Sequence, residues 1–208
     1  MKSLISFVII GLLCSNAVTQ KIVWKPKASL PNANSQGIAV TCSSKIYYII
    51  YTDVQEYDPV TDSWTNKKVM ITPRHHLRAA VVEEKIYIIG GTKMVNGSII
   101  VATENEVYDP QTDTWETKAP IPVVKYNYSV GVFENKIYIF GGSTPDGESA
   151  STYVYDPVSD NWNQIPSMPT TRFNAGTTVV GDKIIISGGL VNSTPTDRVD
   201  IYDPSTGI

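Results

Sequence analysis

Cysteine is almost missing from this chain: there are two, Cys14 and Cys42. Loss of the first with a cleaved leader leaves one thiol, which cannot form an internal disulfide, so the core must hold the fold. Histidine is equally scarce, with His75 and His76 alone. Neighbours in an extended segment point to opposite sides. A metal site needs three or four convergent ligands, and no HxH, HExxH or cysteine cluster supplies them, so no metal is expected. A basic excess is also lacking, since 17 Lys and Arg stand against 20 Asp and Glu for a net charge of −3. Nucleic-acid surfaces need basic patches to neutralise phosphates, so no nucleic-acid partner is expected. No apolar run reaches the ~20 residues of a membrane span. The nearest, Leu4 to Leu13 behind Lys2, is followed by Ser15-Asn16-Ala17. That pattern predicts a signal peptide over residues 1–17, cut after Ala17. It makes the protein secreted or extracellular (periplasmic in a bacterial host), with no membrane attachment after cleavage.

Tyrosine, tryptophan, glycine and proline are plentiful, and they recur in register. The stretch YDPVTDSW at 57–64 returns as YDPQTDTW at 108–115 and YDPVSDNW at 155–162, and YDPSTGI occupies 202–208. Tyrosine precedes tryptophan by 7 residues in each full copy. From Trp64, Trp115 and Trp162 to the first glycine of the doublets at Gly90, Gly141 and Gly188 the distance is 26 residues every time. The same count from Trp24 lands on Ile50, so a first unit keeps the register without glycines. Length varies only between doublet and tyrosine, where the gap holds 5, 16, 12 and 12 residues. A rigid frame with one variable loop is the mark of a structural repeat.

Each unit reads as four short strands. Leu77 to Val82, the turn Glu83-Glu84 and Lys85 to Ile89 form a hairpin, apolar apart from Arg78 and the terminal Lys85. The hairpin recurs as Ser129 to Phe133 and Lys136 to Phe140, and again around Gly181-Asp182. The third strand runs into the Tyr-Asp-Pro turn, whose Asp58, Asp109, Asp156 and Asp203 are turn residues, and the fourth carries the tryptophan. An isolated four-stranded sheet leaves apolar faces open, so the units must stack, and radial stacking of such sheets makes a β-propeller. The expected fold is all-β, with residues 18–208 as one propeller of units at about 24–63, 64–114, 115–161 and 162–208.

Glycine doublet, spaced tyrosine and later tryptophan, in units of 40, 51 and 47 residues from tryptophan to tryptophan, resemble the kelch repeat. The resemblance covers Trp24 to Ile208. It implies propeller blades, in rings of about six. The tryptophan strand Lys21 to Trp24 lacks its own Tyr-Asp-Pro, and the last Tyr-Asp-Pro lacks its tryptophan. Their pairing permits a four-bladed ring. The alternative is a partial, open propeller, whose bare blade face offers a surface for self-association.

In proteins with kelch repeats, ligands often meet the face that carries the variable loop. Counting back 14 residues from each doublet position gives Gln36, His76, Asn127 and Asn174, and 16 gives Asn34, Arg74, Lys125 and Arg172. Gln36, His76, Asn127, Asn174, Arg74, Lys125 and Arg172 are therefore the candidate ligand-binding rim. The competing assignment gives the basic set to bridging neighbouring blades and the polar set to capping strands. Cys42 shares its register with Val82, Phe133 and Val180, which makes it a buried strand residue and not a nucleophile. Some copper oxidases resemble this chain in fold, but their site also needs a Cys-modified Tyr. Glu104 with Glu106, or Asp146 with Glu148, is read as solvated loop charge. Acceptor sequences for N-glycans begin at Asn96, Asn127 and Asn192, and Asn96 and Asn192 fall in the long loops. No catalytic constellation and no cofactor motif appears, so no cofactor is expected. The leading reading is a secreted interaction module for a protein or glycan. The alternatives are a sugar epimerase or mutarotase, resembling kelch epimerases of sialic acid and using Arg74, Lys125, Arg172 and His76, and a truncated propeller without independent activity.

Overall fold

The computed structural model describes residues 24–207. The leader over 1–17 and residues Lys21 to Val23 of the first tryptophan strand lie outside the described residues. Blade I consists of β1 (Ile38–Cys42), β2 (Lys45–Ile50), β3 (Asp53–Asp58) and β4 (Ser63–Asn66). Blade II has β5 (Arg78–Val82) and β6 (Lys85–Ile89), an inserted hairpin β7 (Thr92–Val95) and β8 (Ser98–Val101), then β9 (Asn105–Asp109) and β10 (Thr114–Lys118). Blade III repeats this with β11 (Ser129–Phe133), β12 (Lys136–Phe140), a short hairpin β13 (Ser143–Thr144) and β14 (Gly147–Glu148), β15 (Thr152–Asp156) and β16 (Asn161–Ile165). Blade IV has β17 (Gly176–Val180), β18 (Lys183–Ser187), the hairpin β19 (Leu190–Val191) and β20 (Thr194–Pro195), and β21 (Val199–Tyr202). Blades I to III are antiparallel four-stranded sheets, and blade IV has three strands among the described residues. The inserted hairpins fill the variable gap. A unit counted from tryptophan to tryptophan thus holds the outer strand of one blade and the inner three of the next.

The innermost strands pack in sequence, β1 on β5, β5 on β11 and β11 on β17, with no comparable packing of β17 back on β1. Among the described residues the blades form an arc whose first and last inner strands do not pack on each other. Trp24 belongs to no strand among the described residues and is 94% exposed. Core clusters lie between successive blades. Tyr47, Ile49 and Val54 of blade I meet Ile86, Ile88 and Tyr108 of blade II, and the same faces recur at the next two junctions. Alternation along each strand supplies one apolar face to each neighbour.

The repeated YDPxTDxW stretch builds a latch between blades. Tyr57, Tyr108 and Tyr155 donate their hydroxyls to Asp62, Asp113 and Asp160 at 2.6, 2.7 and 2.6 Å. The same carboxylate oxygens accept the backbone N–H of Ala28, Lys68 and Ala119 at 2.9, 2.9 and 2.8 Å. Those three residues lie in the connector entering the blade, and their carbonyls accept the indole N–H of Trp64, Trp115 and Trp162 at 2.9 Å each. The tyrosine faces the tryptophan across the outer hairpin. The latch aspartates hold φ near 53, 53 and 50°, a left-handed conformation that Asp tolerates. In blade IV the position is Gly207, at φ 75°.

The basic positions form the second device. Arg74 is fully buried and donates to the carbonyls of Gly90 and Glu104 at 2.9 Å each and to the Glu106 carboxylate at 2.8 Å. Arg172, also buried, pairs with Asp200. Lys125 donates to the Ser151 carbonyl and hydroxyl at 3.0 and 2.8 Å and stands 5.1 Å from the Tyr153 ring centre. The partners Glu106, Tyr153 and Asp200 all lie two residues before the repeat tyrosine. Arginine thus meets a carboxylate, lysine meets an aromatic face, and Gln55 takes the position in blade I. The backbone N–H of Arg74 and Arg172 reaches Tyr51 and Ser149 of the preceding blade, at 3.4 and 3.2 Å, so these residues join two blades.

Two outcomes follow. Asp113→Ala leaves a tyrosine hydroxyl and a connector N–H without their acceptor, and is expected to cost ~1–3 kcal/mol in urea unfolding, more than the same change at exposed Asp182. Burial holds the Lys125 ammonium down to about 8 from 10.5. A depressed lysine sheds its proton first from the folded state, so stability rises as pH climbs from about 8 to 10.5. Against Lys125→Met, the wild type is expected to gain up to about 3 kcal/mol across that window and nothing below it. A flat difference between the two unfolding curves contradicts this.

Candidate functional site

The three basic residues of the candidate rim are not on the rim. Arg74, Lys125 and Arg172 are 0, 0 and 1% exposed, with their charges spent on partners inside the blades. The register aligns them because in blades II to IV a cation there ties the strand entrance to the third strand, and they are unavailable to hold an acidic sugar. The carboxylates also depart from the expected solvated loops. Glu106 is buried on β9 against Arg74, and Glu104 pairs with Lys93. Glu148 accepts the N–H of Asn192 and Ser193 at 2.8 and 2.9 Å. Those donors hold its carboxyl below the usual range, and they staple the loop of blade III to that of blade IV.

The polar set stays on the loop face. Gln36, His76 and Asn174 are exposed and Asn127 is half-buried. All four have left-handed backbones, with φ of 71, 52, 56 and 55° for Gln36, His76, Asn127 and Asn174. Their shared property is therefore the turn into the inner strand, which Asn and His tolerate better than most residues. Asn174 also donates its N–H to the Asn127 carbonyl at 2.9 Å, bridging blades III and IV. Asn96 and Asn192 stand exposed at the tips of the inserted hairpins. Cys42 is 3% exposed at the end of β1, and burial pushes its thiol up, as a strand residue and not a nucleophile requires.

Departures from the repeat gather at the mouth between blades I and II. Tyr51 stands at the second glycine position of the register and holds φ 56° without being glycine. It is 47% exposed and its ring stacks on His75 at 4.9 Å between centres. Across from it rises the β7–β8 hairpin, the longest insertion, with Met94 and Ile99 65 and 72% exposed. Tyr51, His75, His76, Met94, Ile99 and Gln36 line a cleft of about 520 Å³. His76 continues into a second cavity of about 260 Å³ that contains Arg78 and Asn127. Arg78 donates to the Tyr128 and Leu77 carbonyls at 3.1 and 3.3 Å and has no ion pair among the described residues. Tyr51 and Arg78 were missed as site residues. The signals were present: a tyrosine where other units have glycine, and a lone charge inside an apolar inner strand.

The family model described as the KLHDC2/KLHL20/DRC7 Kelch-repeats domain matches residues 76–207. Kelch-like protein 35 of Mus musculus is 30% identical over 137 residues, which is 62% of this chain and 22% of that protein. Kelch-like protein 25 of Xenopus tropicalis is 29% identical over 132 residues, 57% of this chain and 22% of its own length. The chain thus spans about a fifth of these curated relatives. The solved structure of YjhT superposes with a TM-score of 0.76 at 18% identity, covering 86% of this chain and 64% of the other, a likeness of fold. With repeat spacing, blade construction and family model in agreement, the chain belongs to the kelch-repeat β-propeller family.

Proposed function

We propose that this chain is an interaction module that binds a segment of a partner protein in the cleft between blades I and II. The observation that carries the reading is Tyr51. A bulky residue in a left-handed backbone costs of order 1–3 kcal/mol and tends to persist where function needs it. Here it raises an aromatic ring against His75, opposite the exposed Met94 and Ile99. Exposed apolar and aromatic side chains converging on a concave surface mark interaction sites, and aromatics dominate their energetics. Arg78, half-buried beside the cleft without a counter-ion, suits an acidic group on the bound segment. The burial of Arg74, Lys125 and Arg172 removes the cationic cluster on which a sugar epimerase would depend.

A glycan ligand is the second reading, resting on the exposed polar set Gln36, His76 and Asn174. Peptides selected from a random display library on the wild-type chain are expected to lose at least ~30-fold in affinity on Tyr51→Ala, the ~2 kcal/mol of a hot-spot side chain. They should also fail to bind Met94→Lys with Ile99→Lys, while Val158→Lys on the outer turns leaves binding intact. Glycan-array binding that depends on His76 but not on Tyr51 supports the second reading instead. The leader pattern supports a secreted or periplasmic compartment for the module. Protein recovered from the medium of a eukaryotic host is expected to begin at Val18 and to carry glycan on Asn96 and Asn192, shown by mass shifts that disappear on Asn→Gln substitution at each.

A further inference from the structure

Blade I breaks the rule that the other blades follow for their buried cation. In blades II to IV that cation reaches a carbonyl at the entrance of the third strand. Arg74 donates to Glu104 at 2.9 Å, Lys125 to Ser151 at 3.0 Å and Arg172 to Arg198 at 3.2 Å. Arg74 also meets the Thr72 carbonyl at 3.4 Å and the Glu106 carboxylate at 2.8 Å. The same register position in blade I is Asn34. Its side chain is uncharged, exposed, and turned back to the Asn32 carbonyl at 3.4 Å.

The acceptor side of the rule is nevertheless kept. Asn32, Asp53 and Gln55 are the register counterparts of Thr72, Glu104 and Glu106. All three line one cavity of about 300 Å³, together with Asn66 and Lys67. Gln55 is 2% exposed, and its Oε1 has no hydrogen-bond partner among the described residues. A buried acceptor left so is destabilising until a donor reaches it. Asp53 is exposed, and its carboxylate takes only a 3.4 Å bond from the Thr52 hydroxyl among the described residues. The one cation in the lining, Lys67, stands 3.7 Å from the Glu56 carboxylate and is held there.

We propose that this cavity binds a guanidinium group, supplied by a small molecule or by an arginine side chain of a partner. A guanidinium is planar and always charged, and its fork of N–H donors serves several acceptors at once. Arg74 uses that fork in blade II on the counterparts of these same residues. In blade I the Asp53 carboxylate supplies the charge and Gln55 Oε1 the buried acceptor. An ammonium is more strongly hydrated and has fewer donors, so it gives up more on entering. The cavity has the size of a small ligand pocket. It shares no lining residue with the Tyr51 cleft, so it stands independently of the function proposed for that cleft.

Butylguanidine and butylamine, titrated into the full chain at constant ionic strength, test it by ligand-observed NMR and by the thermal unfolding midpoint. Butylguanidine is expected to raise the midpoint of the wild type by mass action, and butylamine to bind at least ~5-fold more weakly. Asp53→Asn, at an exposed position, should keep the fold and weaken butylguanidine by ~5-fold or more, as loss of a charged acceptor does. Asn34→Arg with Gln55→Glu writes the blade II pair into blade I. That variant is expected to unfold at a higher temperature than the wild type without ligand, and to lose butylguanidine binding. Acetyl-arginine amide binding as well as butylguanidine assigns the site to an arginine side chain, and butylguanidine binding alone assigns it to a small molecule. A wild type indifferent to butylguanidine, an equal response to butylamine, or affinity unchanged by Asp53→Asn each overturns the proposal.

Discussion

One carboxylate organises the outer hairpin of each of blades I to III. The latch aspartate accepts a hydroxyl from the strand before it and a backbone N–H from the preceding connector, and that connector's carbonyl receives the tryptophan indole two residues later in sequence. Three groups from two blades are satisfied around a single turn. That geometry tolerates no insertion between tyrosine and tryptophan, which explains the constant step of 7 residues beside a loop that varies from 5 to 16. The aspartates pay for little of the core area, yet they determine how the apolar faces of adjacent sheets meet. Burial between those faces supplies most of the stabilisation, at ~25 cal/mol per Å², and the latch sets its register.

The buried cations do for the inner part of the blade what the latch does for the outer part. Breaking a buried pair by removing one partner leaves an uncompensated charge, so such pairs change together or not at all. Within this one chain the partner follows the cation: Glu106 and Asp200 with the arginines, Tyr153 with Lys125. A position that recurs in blades II to IV and changes with its partner answers to the architecture. Tyr51 and Arg78 are matched by residues of other kinds in the other blades, the β7–β8 hairpin is longer than β13–β14 and β19–β20, and all three gather at one mouth of the arc.

This difference explains what could be read from the sequence. Hairpins such as Ser129–Phe133 with Lys136–Phe140 were legible to the residue, because strand alternation and turn residues are local properties. The blade order followed from spacing. The rim was harder. Counting back from the glycines placed Arg74, Lys125 and Arg172 correctly along the strand entrance but could not tell which side of the connector their side chains leave from. Their partners Glu106, Tyr153 and Asp200 lie 28 to 32 residues further on, in the third strand. Periodicity reports what repeats, and so it selected structural residues as site candidates. Glu106, read as loop charge, was misassigned for the same reason: its partner is distant in sequence. Tyr51 was visible as a broken rule, but only its backbone conformation and its stacking on His75 show what the break accomplishes.

The repeat frame and the loop-face cleft place different demands on the same fold, and they do not compete for surface. The cleft is built by strand beginnings and inserted hairpins at one mouth of the arc, between blades I and II. The latches lie apart from it, at the outer hairpins of the blades. The physical economy of the repeat, in which one frame is used again in blade after blade, leaves the gap after the glycine position free to vary, and the cleft is built where a gap of 5 residues meets one of 16.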